Sequence, residues 1–194
     1  MTEKISCGWP ARDPVYITYH DLEWGVPVRD DRKQFEFLVL ESAQAGLSWL
    51  TILKRREGYR SAYDGFDPEL VARYDEGRIR EMLQDPGIIR NRKKIEASVT
   101  NARNFLEIQE QYGSFCNYIW DFTDGRQVVN SFRELSEIPA TSTLSDTIAL
   151  DLKRRGFKFL GSTILYAHLQ ATGLVNDHLI SCFRYQECQE HHPE

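Results

Sequence analysis

Membrane-length apolar runs are missing from this chain of 194 residues, as are a signal-peptide pattern, strand-like alternation beyond a few residues, internal repeats and low-complexity tracts. The first two absences argue against a helical membrane protein and predict a soluble, cytoplasmic one with no membrane partner. Four cysteines are too few for a disulfide scaffold of this size, and in a reducing compartment thiols stay free or bind metal. A surplus of positive charge is lacking too, since 24 Lys and Arg stand against 29 Asp and Glu, a net charge of −5. Any polyanion binding must then rest on local basic patches. Two are present, Arg90, Arg92, Lys93 and Lys94 in one and Lys153, Arg154, Arg155 and Lys158 in the other. With 41% hydrophobic residues the chain can bury one sizeable core, so a single domain is expected.

What remains is helical periodicity, and the expected class is all-α. Phe35, Leu38, Ser42 and Ala45 recur at helical spacing over about 32–45, with Gly46 as the C-cap. Ser48 reads as the N-cap of a helix that runs to about Gly65, with Trp49, Ile52 and Leu53 on one face and Lys54, Arg55 and Arg56 on the other. Asp67-Pro68 opens a short helix and residues 76–84 form another. A long amphipathic helix is predicted over about 91–111, and two more over about 145–155 and 162–172. Residues 136–145, polar and containing Pro139, form the one linker-like stretch.

Three features carry chemistry. Cys7 with His20, and His178 with Cys182, have the donor types of a closed structural zinc site. His178-x3-Cys182 has one-turn helical spacing, whereas Cys7 and His20 need a folded irregular segment to meet. The residues alone leave buried thiols and core histidines as an equal alternative; Cys116 and Cys188 are spare. Next, Glu41 points to the apolar side of its helix, where a carboxylate is costly without a partner. Trp49 lies eight residues on, Tyr16 and Tyr19 precede it in the segment that carries His20, and a carboxylate among aromatic faces suits a flat cation. Finally, Asp85-Pro86-Gly87 joins two helices in a helix-hairpin-helix layout over about 76–109. Its turn amides and basic side chains could hold a DNA phosphate, although Ile89 stands where a second glycine is common.

These residues resemble a known family. Cys7-Gly8-Trp9, Tyr16-x2-Tyr19-His20-Asp21, Gln44-Ala45-Gly46-Leu47-Ser48-Trp49, Gly87-Ile88-Ile89-Arg90, Gly156-Phe157-Lys158-Phe159 and Val175-Asn176-Asp177-His178 are similar to bacterial 3-methyladenine DNA glycosylase I. The resemblance spans residues 7–188 and leaves 189–194 as a tail expected to be disordered. It implies a helix-hairpin-helix glycosylase of one domain, with a zinc-binding lobe made by about 1–30 and 173–188. One structural zinc ion on Cys7, His20, His178 and Cys182 follows from it, as does a base pocket of Glu41, Tyr16, Tyr19, Trp49 and Trp9. Backbone contacts are expected from Gly87, Arg90, Arg92, Lys93 and Lys94, with alkylated double-stranded DNA as substrate and free 3-methyladenine as product of a monomeric enzyme. Methylation at N3 makes adenine cationic and weakens its glycosidic bond, so little acid catalysis is required. The expected reaction is hydrolysis to an abasic site without a lyase step. The alternatives are a catalytically inactive helix-hairpin-helix protein that binds DNA damage and a zinc-stabilised protein-interaction domain. An inactive relative is expected to lose Glu41 or its aromatic wall, and this chain keeps both.

Overall fold

Short polar side chains set most helix boundaries. In the computed structural model, which describes residues 4–10 and 12–189, Asp13 accepts from Val15 N and Pro14 occupies the first position of α1 (Pro14–Leu22). Asp30 caps α2 (Asp31–Gln44), and Ser48 caps α3 (Trp49–Leu53). After α4 (Arg56–Ala62), Asp67 opens α5 (Pro68–Val71) and Asp75 opens α6 (Glu76–Met82). Asn91 caps the long α7 (Arg92–Tyr112), Ser114 caps α8 (Phe115–Asp121) and Ser142 caps α9 (Thr143–Arg154). The last helices are α10 (Ser162–Ala171) and α11 (Arg184–Glu187). Among the described residues no helix is long and apolar enough to cross a membrane. Of the tail expected from 189 onward only Gln189 is described, bonded to the Tyr185 carbonyl; His191 and His192 lie outside the described residues.

Several expectations need correcting. The segment before His20 is helix, not irregular chain: Asp13-Pro14 is a start signal of the same kind as Asp67-Pro68. The helix expected from Ser48 to Gly65 breaks at Lys54-Arg55, because Arg56 turns inward to Glu23 and Glu36. His178 lies in irregular chain and Cys182 at a bend after a strand, not on a helix face. That strand (β2, Val175–Asn176) pairs in parallel with β1 (Val128–Val129), a two-residue ladder in a mostly helical protein. Phe183 N donates to Ile5 O, which brings the two ends of the chain together.

α2 lies at the centre, packed by α3, α7, α8 and α10. Every residue from 34 to 43 is buried, so this stretch has no solvent face and its polar residues need partners inside the protein. Gln34 has them, donating to Val28 O and meeting His168 Nε2 through Oε1.

Candidate active site and metal cluster

α2 delivers Glu41 to the floor of a cavity of about 390 Å³, a volume suited to a small planar ligand. Tyr16 and Tyr19, three apart on α1, reach the same cavity; Trp49 enters from the first turn of α3 and Trp9 from the N-terminal segment. Tyr19 and Trp49 meet edge to face at 5.5 Å, and Trp9 meets Tyr16 at 5.0 Å. The structure therefore gathers all five expected pocket residues in one place. It adds Trp24, Gln44, Ala167 and Gln170, with Ile138 from the stretch read as a linker and Leu135 just before it. Sequence reasoning missed these because residue types alone do not show that the ends of α1 and α2, α10 and a distant loop converge on one cavity.

Glu41 is 2% exposed, and its Oε2 has no hydrogen-bond partner among the described residues. Burial alone pushes its carboxyl up to about 8, which favours the protonated form at neutral pH. Burial, together with the nearby Glu41, also raises the hydroxyls of Tyr16 and Tyr19. The cavity thus contains flat apolar walls and a buried carboxyl group whose charge the fold leaves uncompensated. A cation arriving beside Glu41 would supply the missing charge and draw off its proton.

Behind this wall, Cys7, His20, His178 and Cys182 converge, all buried, their ligand atoms within 4.8 Å of one another. Cys7 Sγ is 3.4 Å and Cys182 Sγ 3.6 Å from His178 Nδ1, and Cys182 Sγ is 3.7 Å from His20 Nε2. A tetrahedron with zinc-like bonds has edges of about 3.5 Å. The remaining ring nitrogens are held as metal-bound histidines usually are: His20 Nδ1 donates to Asp21 at 2.7 Å, and His178 Nε2 donates to Trp24 O at 2.9 Å. The cluster therefore fits a tetrahedral metal ion with all four positions taken by protein. It adjoins the cavity, since the Trp9 ring packs edge-on against His20 at 5.2 Å as well as against Tyr16.

The basic hairpin is less open than its sequence implies. Gly87 N donates to Asp85, Ile89 N donates to the Tyr59 hydroxyl, and the Gly87 backbone lies against Gly58, where a Cβ would collide with it. Lys94 Nζ donates to Ala43 O and Ala45 O at 2.7 Å each, closing the C-terminus of α2, and Arg92 pairs with Glu76 and Glu96. Arg90 and Lys93 remain exposed. At the other basic patch, α9 and α10 form a second hairpin. Lys153, Arg154 and Lys158 are exposed there, Arg155 is tied to Asp151, and the Gly161 N-cap leaves α10 without a side-chain cap. Gly156 and Gly161 flanking that turn were the legible signal for it.

Comparison with known proteins places this geometry. The methyladenine glycosylase family model matches residues 9–185. DNA-3-methyladenine glycosylase 1 of Escherichia coli is 48% identical over 179 residues, covering 92% of this chain and 96% of the relative. The DNA-3-methyladenine glycosylase of Haemophilus influenzae is 43% identical, covering 91% and 95%. Among solved structures, 3-methyladenine DNA glycosylase I from Staphylococcus aureus, solved to show how it recognises 3-methyladenine, superimposes with a TM-score of 0.90 at 38% identity, covering 97% of this chain and 98% of its own. The chain belongs to the methyladenine glycosylase family.

Proposed function

We propose that this protein is a monofunctional DNA-3-methyladenine glycosylase that flips the damaged base out of alkylated duplex DNA, hydrolyses its N-glycosidic bond and leaves an abasic site. The observation that carries this reading is Glu41, a buried carboxylate without a partner inside an aromatic cavity. N3-methylated adenine is a cation with N–H donors. Its ring lies between Trp49 and the tyrosines, and its charge lowers the Glu41 pKa so that the carboxylate ionises against it. Neutral adenine supplies no such charge and leaves a buried group uncompensated, which discriminates against it. Extrusion of the nucleotide costs a few kcal/mol of unstacking, which the cavity contacts offset. As the glycosidic bond breaks, its electron pair neutralises the base. Water adds to C1′ of the sugar and releases its proton to solvent. No side chain is assigned to activate that water.

Zinc is the metal that the Cys₂His₂ donor set favours; bound by Cys7, His20, His178 and Cys182 it is structural, with no open position for water. It clasps the chain ends and steadies Trp9 and α1. The helix-hairpin-helix reading attaches to both hairpins. Arg90 and Lys93 supply phosphate contacts at one, and Lys153, Arg154 and Lys158 with the uncapped start of α10 supply them at the other, while Gly87, Arg92 and Lys94 are engaged within the protein. A monomer acting in the cytoplasm completes the reading.

Release of free 3-methyladenine from methylated DNA tests the function. Wild-type protein should release it and Glu41→Gln should be slower by about 100-fold or more, the loss typical of removing a transition-state electrostatic group. A wild-type rate in the variant removes Glu41 from the mechanism, and no release by wild type leaves a damage-binding protein. For the metal, Cys182→Ser should lower zinc content and melting temperature together. Full stability without metal sinks the structural-zinc reading.

A further inference from the structure

Gln170 lies on α10 with its side chain in the wall of the Glu41 cavity. Its Nε2 donates to Asp177 Oδ2 at 2.7 Å. Asp177 is 1% exposed and receives two more hydrogen bonds, from the Tyr166 hydroxyl at 2.5 Å and from Asn130 Nδ2 at 2.7 Å. A carboxylate holding three donors can only accept, so the Gln170 amide cannot turn round: its NH₂ must face Asp177. What Gln170 can offer the cavity is then Oε1, which bonds to no other group among the described residues. The side chain of Gln44, the other amide in the cavity wall, has no hydrogen-bond partner among the described residues and can present either end.

We infer that Gln170 is a specificity-determining residue for the base and that Asp177 is its positioning residue, fixing an acceptor in the cavity opposite an exocyclic amino group. The inference rests on the base-excision reading above and adds to it the feature of the base that is read. An adenine-type base carries two N–H bonds on its amino group, enough for both fixed acceptors, Glu41 and Gln170. A guanine-type base carries a carbonyl oxygen at the same ring position. It would set oxygen against oxygen at Gln170, with no rotation of the amide available to relieve it. The cavity therefore selects 3-methyladenine over 3-methylguanine through an amide whose direction is set outside the cavity.

Calorimetric titration with free 3-methyladenine and free 3-methylguanine tests this. In Gln170→Leu the dissociation constant for 3-methyladenine should rise about fivefold, the loss of one neutral hydrogen bond, while that for 3-methylguanine stays level or falls. In Asp177→Asn the new amide can donate to Gln170 Oε1 and let its NH₂ face the cavity, so the preference should shrink further or reverse. That reversal is a readout a merely structural role would not produce. Equal changes for both bases in Gln170→Leu, or no change, overturn the inference while leaving the excision reading intact. Failure of wild type to release 3-methyladenine from methylated DNA overturns both. Metal content and melting temperature are measured alongside, and if Asp177→Asn loses its metal, Gln170→Leu decides alone.

Discussion

Glu36 and Glu41 sit on the same helix, five residues apart and almost equally buried, at 3% and 2% exposure, and their situations are opposite. Glu36 receives Arg56 Nε at 2.7 Å, Arg60 at 3.0 Å and Lys33 at 3.1 Å, within a network that also ties Arg56 to both oxygens of Glu23. Burial alone would raise its carboxyl; Arg56 and Lys33 outweigh that and hold it below its ordinary value. Glu41 has burial and nothing against it, and rises to about 8. A buried carboxylate neutralised by its own fold is structural, whereas one left for a ligand to neutralise marks the site.

The comparison can be broken at either end. The largest effect is expected from Arg56→Met, which takes from Glu36 and Glu23 the buried guanidinium they share and leaves them only Lys33 and, for Glu36, Arg60. Unfolding free energy should fall by about 3–5 kcal/mol, read from denaturant titration, with excision per folded molecule little changed. Glu41→Gln should act the other way on stability. The native carboxyl titrates near 8 and the unfolded one at its ordinary value, so the folded state holds its proton more tightly and wild-type stability declines as pH rises between them. The variant escapes that decline. Its advantage should be near zero at pH 4, grow by about 1.4 kcal/mol per pH unit as pH rises toward 8 and then level, and a flat difference across this range would remove the burial argument. The smallest stability change is expected from Gln44→Lys, one turn beyond Glu41 on the same helix. It gives Glu41 an internal ammonium, stabilises the fold by about 1 kcal/mol and lowers the Glu41 pKa, while base binding weakens at least about tenfold because the countercharge is already present.

Much of the helical frame was legible because it is local. Ser48, Asp67, Asn91 and Ser142 each bond an amide within three residues, so capping is readable wherever the residue type is right. The same signals stood at Asp13-Pro14 and Ser114, and the helices they begin were readable too. The break at Lys54-Arg55 was not, since it is set by carboxylates 20 and 33 residues earlier in the chain. The hairpin at Gly87 shows the same limit. Its turn has the right residues, and its amides are bonded inward to Asp85 and Tyr59.

By itself the chain's sequence determined where most helices begin, which four side chains have zinc's donor chemistry, and that a carboxylate stands on an otherwise apolar stretch of helix. These are matters of residue type and near-neighbour spacing. The tertiary structure alone decided which of two buried glutamates goes without a partner, which way the Gln170 amide faces and which basic groups stay free, because each depends on a group brought within about 3 Å from a distant part of the chain.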